Sequence, residues 1–198
     1  MPSIAVTGSI GSGKSLVSEL LARRIPCTTF SADMENRRLL ESDSSVKGEI
    51  VALLGDQAYD GEDRPDRGWI RSRITSDASL RKGLEDILHP RIRNAWEPKA
   101  RECKAPSSET FLAEIPLLFE KGLGKSFDRV VVVGCSEAVR RERLASLRGI
   151  SEKTAAEWTS LQMPQEEKIL LGDHLVWNDG TRACLESQTE RLASLILS

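Results

Sequence analysis

Near the start of the chain, Gly8-Ser9-Ile10-Gly11-Ser12-Gly13-Lys14-Ser15 sets two glycines around four intervening residues and follows the second with lysine and serine. Those types at that spacing suit a bound phosphate chain. Glycines let backbone N–H groups curl round phosphate oxygens with no side chain in the way. A helix that starts here aims its positive dipole end at the same anion. Lys14 would reach the β- and γ-phosphates of a nucleoside triphosphate, and the Ser15 hydroxyl would coordinate Mg²⁺. Leu16 completes the stretch.

Such a loop fixes the phosphate donor and leaves the acceptor open. A guanine-reading N-K-x-D is absent from the chain, which argues against a GTPase. At 198 residues the chain is also short for a motor ATPase, and its size fits a small-metabolite kinase. An acceptor hydroxyl needs a base or an orienting carboxylate. Asp33 is one candidate, since ligands of open α/β sheets bind beyond the strand ends. It could equally serve as a helix N-cap. Glu114, at the end of "TFLAE", could hold a Mg²⁺ shell through water. His89 in "LHP" suits substrate contact or packing beside Pro90. Arg140, Arg141, Arg143 and Arg148 share one segment with Glu137 and Glu142, so one or two of them could neutralise a transferring phosphoryl group while the rest pair at the surface.

These groups need elements to place them. "SIAVT" (3–7) is expected as a buried strand, and 13–24 as a helix with Val17, Leu20 and Leu21 on one face. A second strand covers Thr28-Thr29-Phe30, with Asp33 at its end. Residues 34–54 are expected to be helical, 56–68 a polar turn region around Asp60-Gly61, and 77–103 a long helix that Pro90 ends or kinks. "TFLAEIPLLF" (110–119) opens as a third strand. "DRVVVVGC" (128–135) is a fourth, its valines suited to a strand covered on both faces. "DHLVWN" (173–178) is a fifth. Charged helices follow over 136–147, 151–161 and 164–171, and another over 181–197. Strands alternating with helices predict an α/β layered fold with a mainly parallel sheet.

Composition agrees with a soluble globular protein and disfavours several alternatives. The chain is 39% hydrophobic and 29% charged, with a formal net charge of −2, so nothing in the balance favours broad nucleic-acid or membrane-surface binding. Cys27, Cys103, Cys135 and Cys184 are scattered, which disfavours a zinc site or a disulfide framework and suits free thiols in a reducing cytoplasm. No apolar run is long enough to span a membrane, and the N-terminus lacks the features of a signal peptide.

An ordered series of motifs carries a resemblance: "TGSIGSGKS" (7–15), "SAD" (31–33), "DGEDRPDR" (60–67), "LHPRI" (88–92), "EIPLLFE" (114–120), "QMPQEEK" (162–168) and "GDHLVWNDG" (172–180). In this combination the sequence resembles the dephospho-coenzyme A kinase family along nearly its whole length. The resemblance implies a P-loop kinase three-layer fold with a parallel five-stranded sheet. Its core would cover about 1–33, 108–136 and 172–198, a helical coenzyme-binding subdomain about 34–107, and a lid about 137–171. It implies transfer of the ATP γ-phosphate to the ribose 3′-hydroxyl of dephospho-coenzyme A, with Mg²⁺, as the last step of coenzyme A synthesis. By position, Asp33 matches the family's proposed base. Lys14 belongs to the loop, and Arg143 matches a lid arginine. Gly8 to Leu16, Asn178 and Gly180 match the ATP side. His89, Pro116, Leu117, Leu118, Phe119 and Glu120 match the substrate side, and Ser15 and Glu114 the metal side.

The chain departs from the family pattern at several positions. Ser31 stands where the family has an aspartate, removing a carboxylate near the metal or acceptor. Leu16 replaces a threonine, Glu114 an aspartate, and Trp158 an arginine, and Leu147-Arg148-Gly149-Ile150-Ser151 shifts a lid arginine by one place. These departures leave two alternatives open: a kinase for another small hydroxyl metabolite, or a degenerate ATP-binding regulatory protein.

Overall fold

The computed structural model describes residues 2–103, 109–148 and 151–197. Five strands form one sheet: β1 (Ser3–Gly8), β2 (Cys27–Ser31), β3 (Thr110–Glu114), β4 (Arg129–Gly134) and β5 (His174–Trp177). Their order is β2-β3-β1-β4-β5, and every pairing is parallel, as the expected α/β layering requires. Parallel neighbours need crossovers, and helices supply them. β1 and β3 are buried along their whole length, which explains their near-continuous apolar runs.

One face of the sheet packs on α1 (Lys14–Ala22) and α9 (Arg182–Leu197). Ile4, Val6, Val131, Val133 and Val176 meet Val17, Leu20 and Leu21 of α1 and Leu185, Leu192 and Ala193 of α9 in a single core. Strand residues two apart and helix residues three or four apart are what this packing demands. Register then lines up the strand ends. Ser31 and Val6 both pair with Glu114, Gly8 pairs with Val133, and Gly134 pairs with Trp177. One rim of the sheet thus carries the phosphate loop, Glu114 and the segment after β5.

The chain divides into two compact units, Met1–Ser31 with Lys99–Ser198, and Ala32–Pro98. The second is helical: α2 (Ala32–Ser42), α3 (Ser44–Leu54), α4 (Arg67–Ser76) and most of α5 (Ala78–Glu102). Its own core gathers Leu39, Val46, Ile50, Ile70, Leu84 and Leu88. In the first unit α6 (Glu137–Arg148), α7 (Glu152–Ser160) and α8 (Gln165–Leu171) lie between β4 and β5 in sequence.

Two expectations need correction. The helix expected over 34–54 is two helices, because Asp43 leaves helical geometry and its carboxylate accepts the Ser45 and Val46 N–H groups as an N-cap. The long helix expected to break at Pro90 runs through both Pro90 and Pro98. Leu84, Leu88, Trp96 and Ala100 are buried at multiples of four along it, with Ile92 partly buried between them. That continuous apolar stripe outweighs the hydrogen bonds the prolines remove.

Candidate active site

The phosphate loop forms because its glycines take conformations other residues resist. Gly13 has φ +92°, and a Cβ there would sit 2.2 Å from Asn178 Nδ2. Gly8 has φ +149°, and a Cβ would sit 2.2 Å from the Val133 carbonyl oxygen. Both positions therefore need glycine for conformation and for close approach. α1 starts at Lys14, directly after the loop, so the first-turn N–H groups of the helix lack intrahelical acceptors, as an anion site at a helix N-terminus requires. Ser9 and Ser12 are buried, and the Ser12 hydroxyl has no hydrogen-bond partner among the described residues. Leu16 packs its side chain on the core, leaving its backbone to the loop.

Lys14 is 8% exposed, and its Nζ donates to the Ser9 carbonyl at 3.1 Å, which holds the ammonium over the loop. The Ser15 hydroxyl donates to Glu114 Oε1 at 2.8 Å. These two, expected as metal-side residues, thus meet. Their donor set is all oxygen, which suits a hard cation such as Mg²⁺. No group of three His, Cys, Asp or Glu ligands forms among the described residues.

A second group holds the loop from the β5 side. Asn178, 5% exposed, donates Nδ2 to the Ser12 carbonyl at 2.8 Å. Arg143 on α6 donates to the Asn178 carbonyl at 2.8 Å and to the Ser12 carbonyl at 3.4 Å. Of the four arginines singled out, Arg143 is thus bonded into the loop. The Arg140 stem lies beside Gly11, and Arg141 pairs with Glu137 at the surface. The Arg148 side chain, with residues 149 and 150 of the expected lid motif, lies outside the described residues. Burial holds the Cys135 thiol above the usual thiol range, with Arg143, Arg140 and Lys14 pulling it down and Asp179 adding to the rise, so both signs of charge act on the end of β4.

The "EIPLLFE" turn, expected on the substrate side, is bonded into the fold through the Pro116 carbonyl and Glu120. Leu118 is fully buried and presents no side-chain surface. The Pro116 carbonyl accepts from Thr7 Oγ1 and from Lys168 Nζ, each at 3.3 Å. Glu120 Oε1 pairs with the fully buried Lys168 at 2.8 Å and accepts the Met163 N–H at 2.9 Å, while its Oε2 is buried with no hydrogen-bond partner among the described residues. Leu117 and Phe119 are half-buried, and Gly180 is exposed.

Asp33 neither ends β2 nor caps a helix. It lies in the first turn of α2, exposed, two residues beyond the end of β2 along the chain. His89 is half-buried within α5. The residues that sequence reasoning missed are Gln162, Gln165 and Lys168. The "QMPQEEK" motif named them, but a glutamine carries no chemical signature that distinguishes a loop clamp from a surface amide.

Comparison with known proteins supplies the relationship. The family model described as dephospho-CoA kinase matches residues 3–183. The dephospho-CoA kinase of Chlorobaculum tepidum is 31% identical over 98% of this chain and 95% of its own length. A crystal structure of a Thermus thermophilus protein superposes with a TM-score of 0.81 at 28% identity, covering 98% of this chain and 97% of its own. The Campylobacter jejuni dephospho-CoA kinase, at 21% identity, shares the fold with a TM-score of 0.64 over 98% of this chain and 96% of its own. With a match across nearly the whole chain and the phosphate loop formed, the chain belongs to the dephospho-CoA kinase family.

Proposed function

We propose that the protein transfers the γ-phosphate of ATP to the ribose 3′-hydroxyl of dephospho-coenzyme A, giving coenzyme A and ADP in the cytoplasm. The observation that carries this reading is the meeting of Ser15 and Glu114 beside a fully formed phosphate loop, in a chain of this family. The loop amides and Lys14 hold the β- and γ-phosphates and offset the charge that spreads over the phosphoryl oxygens during transfer. Arg143 and Asn178 keep the Ser12 carbonyl turned away from those oxygens, since both donate to it. In the same reading Arg143 adds positive charge near the transferring group. Ser15 and Glu114 are the residues that would hold a magnesium ion, which when bound would supply positive charge against the phosphates.

Asp33 takes the proton of the 3′-hydroxyl as the oxygen attacks, and its exposure leaves the carboxylate available for that contact. The helical unit Ala32–Pro98, with His89, receives the coenzyme, and Pro116, Leu117 and Glu120 belong to the substrate side. Two measurements test this reading. Offered a panel of small hydroxyl acceptors with ATP and Mg²⁺, the protein should phosphorylate dephospho-coenzyme A far faster than shikimate or gluconate; a preference for another acceptor contradicts the proposal. Asp33→Asn should lower kcat by about 10²–10⁴ with the KM for ATP little changed, and near-normal turnover would remove Asp33 from the base role.

A further inference from the structure

The segment 162–168 bonds to the chain at the ends of three strands. Gln162 Oε1 accepts the Ile10 N–H at 2.9 Å, in the loop after β1. The Met163 N–H and Lys168 both bond Glu120, and Lys168 donates to the Pro116 carbonyl, in the turn after β3. Gln165, 8% exposed, accepts the Cys135 N–H at 3.1 Å and donates to its carbonyl at 2.9 Å, just beyond β4. One short strap therefore ties together the strand ends that carry the phosphate loop and Glu114.

Gln162 is the member of this strap that reaches the loop. A glycine-rich loop has more conformational freedom to lose than any other backbone, so its curl must be held from outside. Asn178 and Arg143 hold it at the Ser12 carbonyl. Gln162 holds it at Ile10, from a different element. The Ile10 N–H, engaged by Gln162, is a structural donor in this state rather than a phosphate donor. We infer that Gln162 is a positioning residue for ATP, fixing the phosphate loop in its receptive curl by accepting the Ile10 N–H. Ordering the loop then costs less when the nucleotide binds. The inference rests on the assignment of this loop as the ATP site.

Gln162→Met tests it, because methionine matches the length and lacks the amide oxygen. The full-length variant is compared with the parent by calorimetric binding of a non-hydrolysable ATP analogue, by KM for each substrate, and by melting temperature. The analogue Kd and the KM for ATP should rise about three- to tenfold, the worth of one hydrogen bond, while the KM for dephospho-coenzyme A and the melting temperature stay put. An unchanged analogue Kd overturns the inference. So does an equal rise in both KM values together with a lower melting temperature, which marks a merely structural role. The analogue measurement does not depend on the acceptor. A parent protein that binds the analogue and makes no coenzyme A defeats the proposed activity alone.

Discussion

Gly13 is where one methyl group would undo the donor site. Its positive φ strains any other residue, and the added carbon would meet the Asn178 amide that clamps the Ser12 carbonyl. Gly13→Ala should therefore lose stability by about 1–3 kcal/mol and weaken ATP binding by more than about tenfold. Denaturant unfolding and calorimetry check both, and a variant with parental ATP affinity would show that the loop tolerates a different curl. Residue identity made this position legible, because glycine between "GSIGS" and "KS" has a mechanism. It did not make Asn178 legible as the clamp. A strand-end asparagine that bonds a loop 166 residues earlier in the chain depends on register, and the register of parallel strands follows from the folded sheet.

Among the elements, the sheet was the most legible part and the helix boundaries the least. Buried parallel strands leave unbroken apolar runs such as "RVVVVG", and each expected strand is present. The break at Asp43 is hard to read although "DSSV" carries the cap signal, since Leu39, Leu40, Val46 and Ile50 continue an apolar pattern across it. Pro90 misled in the other direction, because the long-range packing of α5 is invisible to a local rule. The strap's role is not legible in its motif, since its partners Ile10, Glu120 and Cys135 are distant in sequence. Its ion pair to Glu120 has a consequence for stability. Lys168 is wholly buried and Glu120 nearly so, with 0% and 15% of their side chains exposed. Lys168→Met would leave the Glu120 carboxylate without its counter-charge and should cost about 3–5 kcal/mol by denaturant titration. A loss below about 1 kcal/mol would mean that water reaches Glu120 and the pair behaves as a surface contact.

At the scale of the whole molecule, the first unit assembles phosphate loop, carboxylate, arginine and clamp at one rim of a parallel sheet, and the second builds a separate helical core from residues 32–98. No helix among the described residues is long and apolar enough to cross a membrane. The departures at Ser31 and Trp158 leave the described loop, the Ser15–Glu114 pair and the Arg143–Asn178 clamp in place. In the proposed reading those contacts supply the positioning and electrostatics that phosphoryl transfer needs, so the departures do not by themselves call for an inactive protein. Incubating the purified full-length chain with γ-labelled ATP, Mg²⁺ and dephospho-coenzyme A, and identifying the labelled product, tests this most directly. The predicted result is label on the ribose 3′-oxygen, with coenzyme A and ADP formed in equal amounts; ATP binding with no labelled coenzyme A would contradict it.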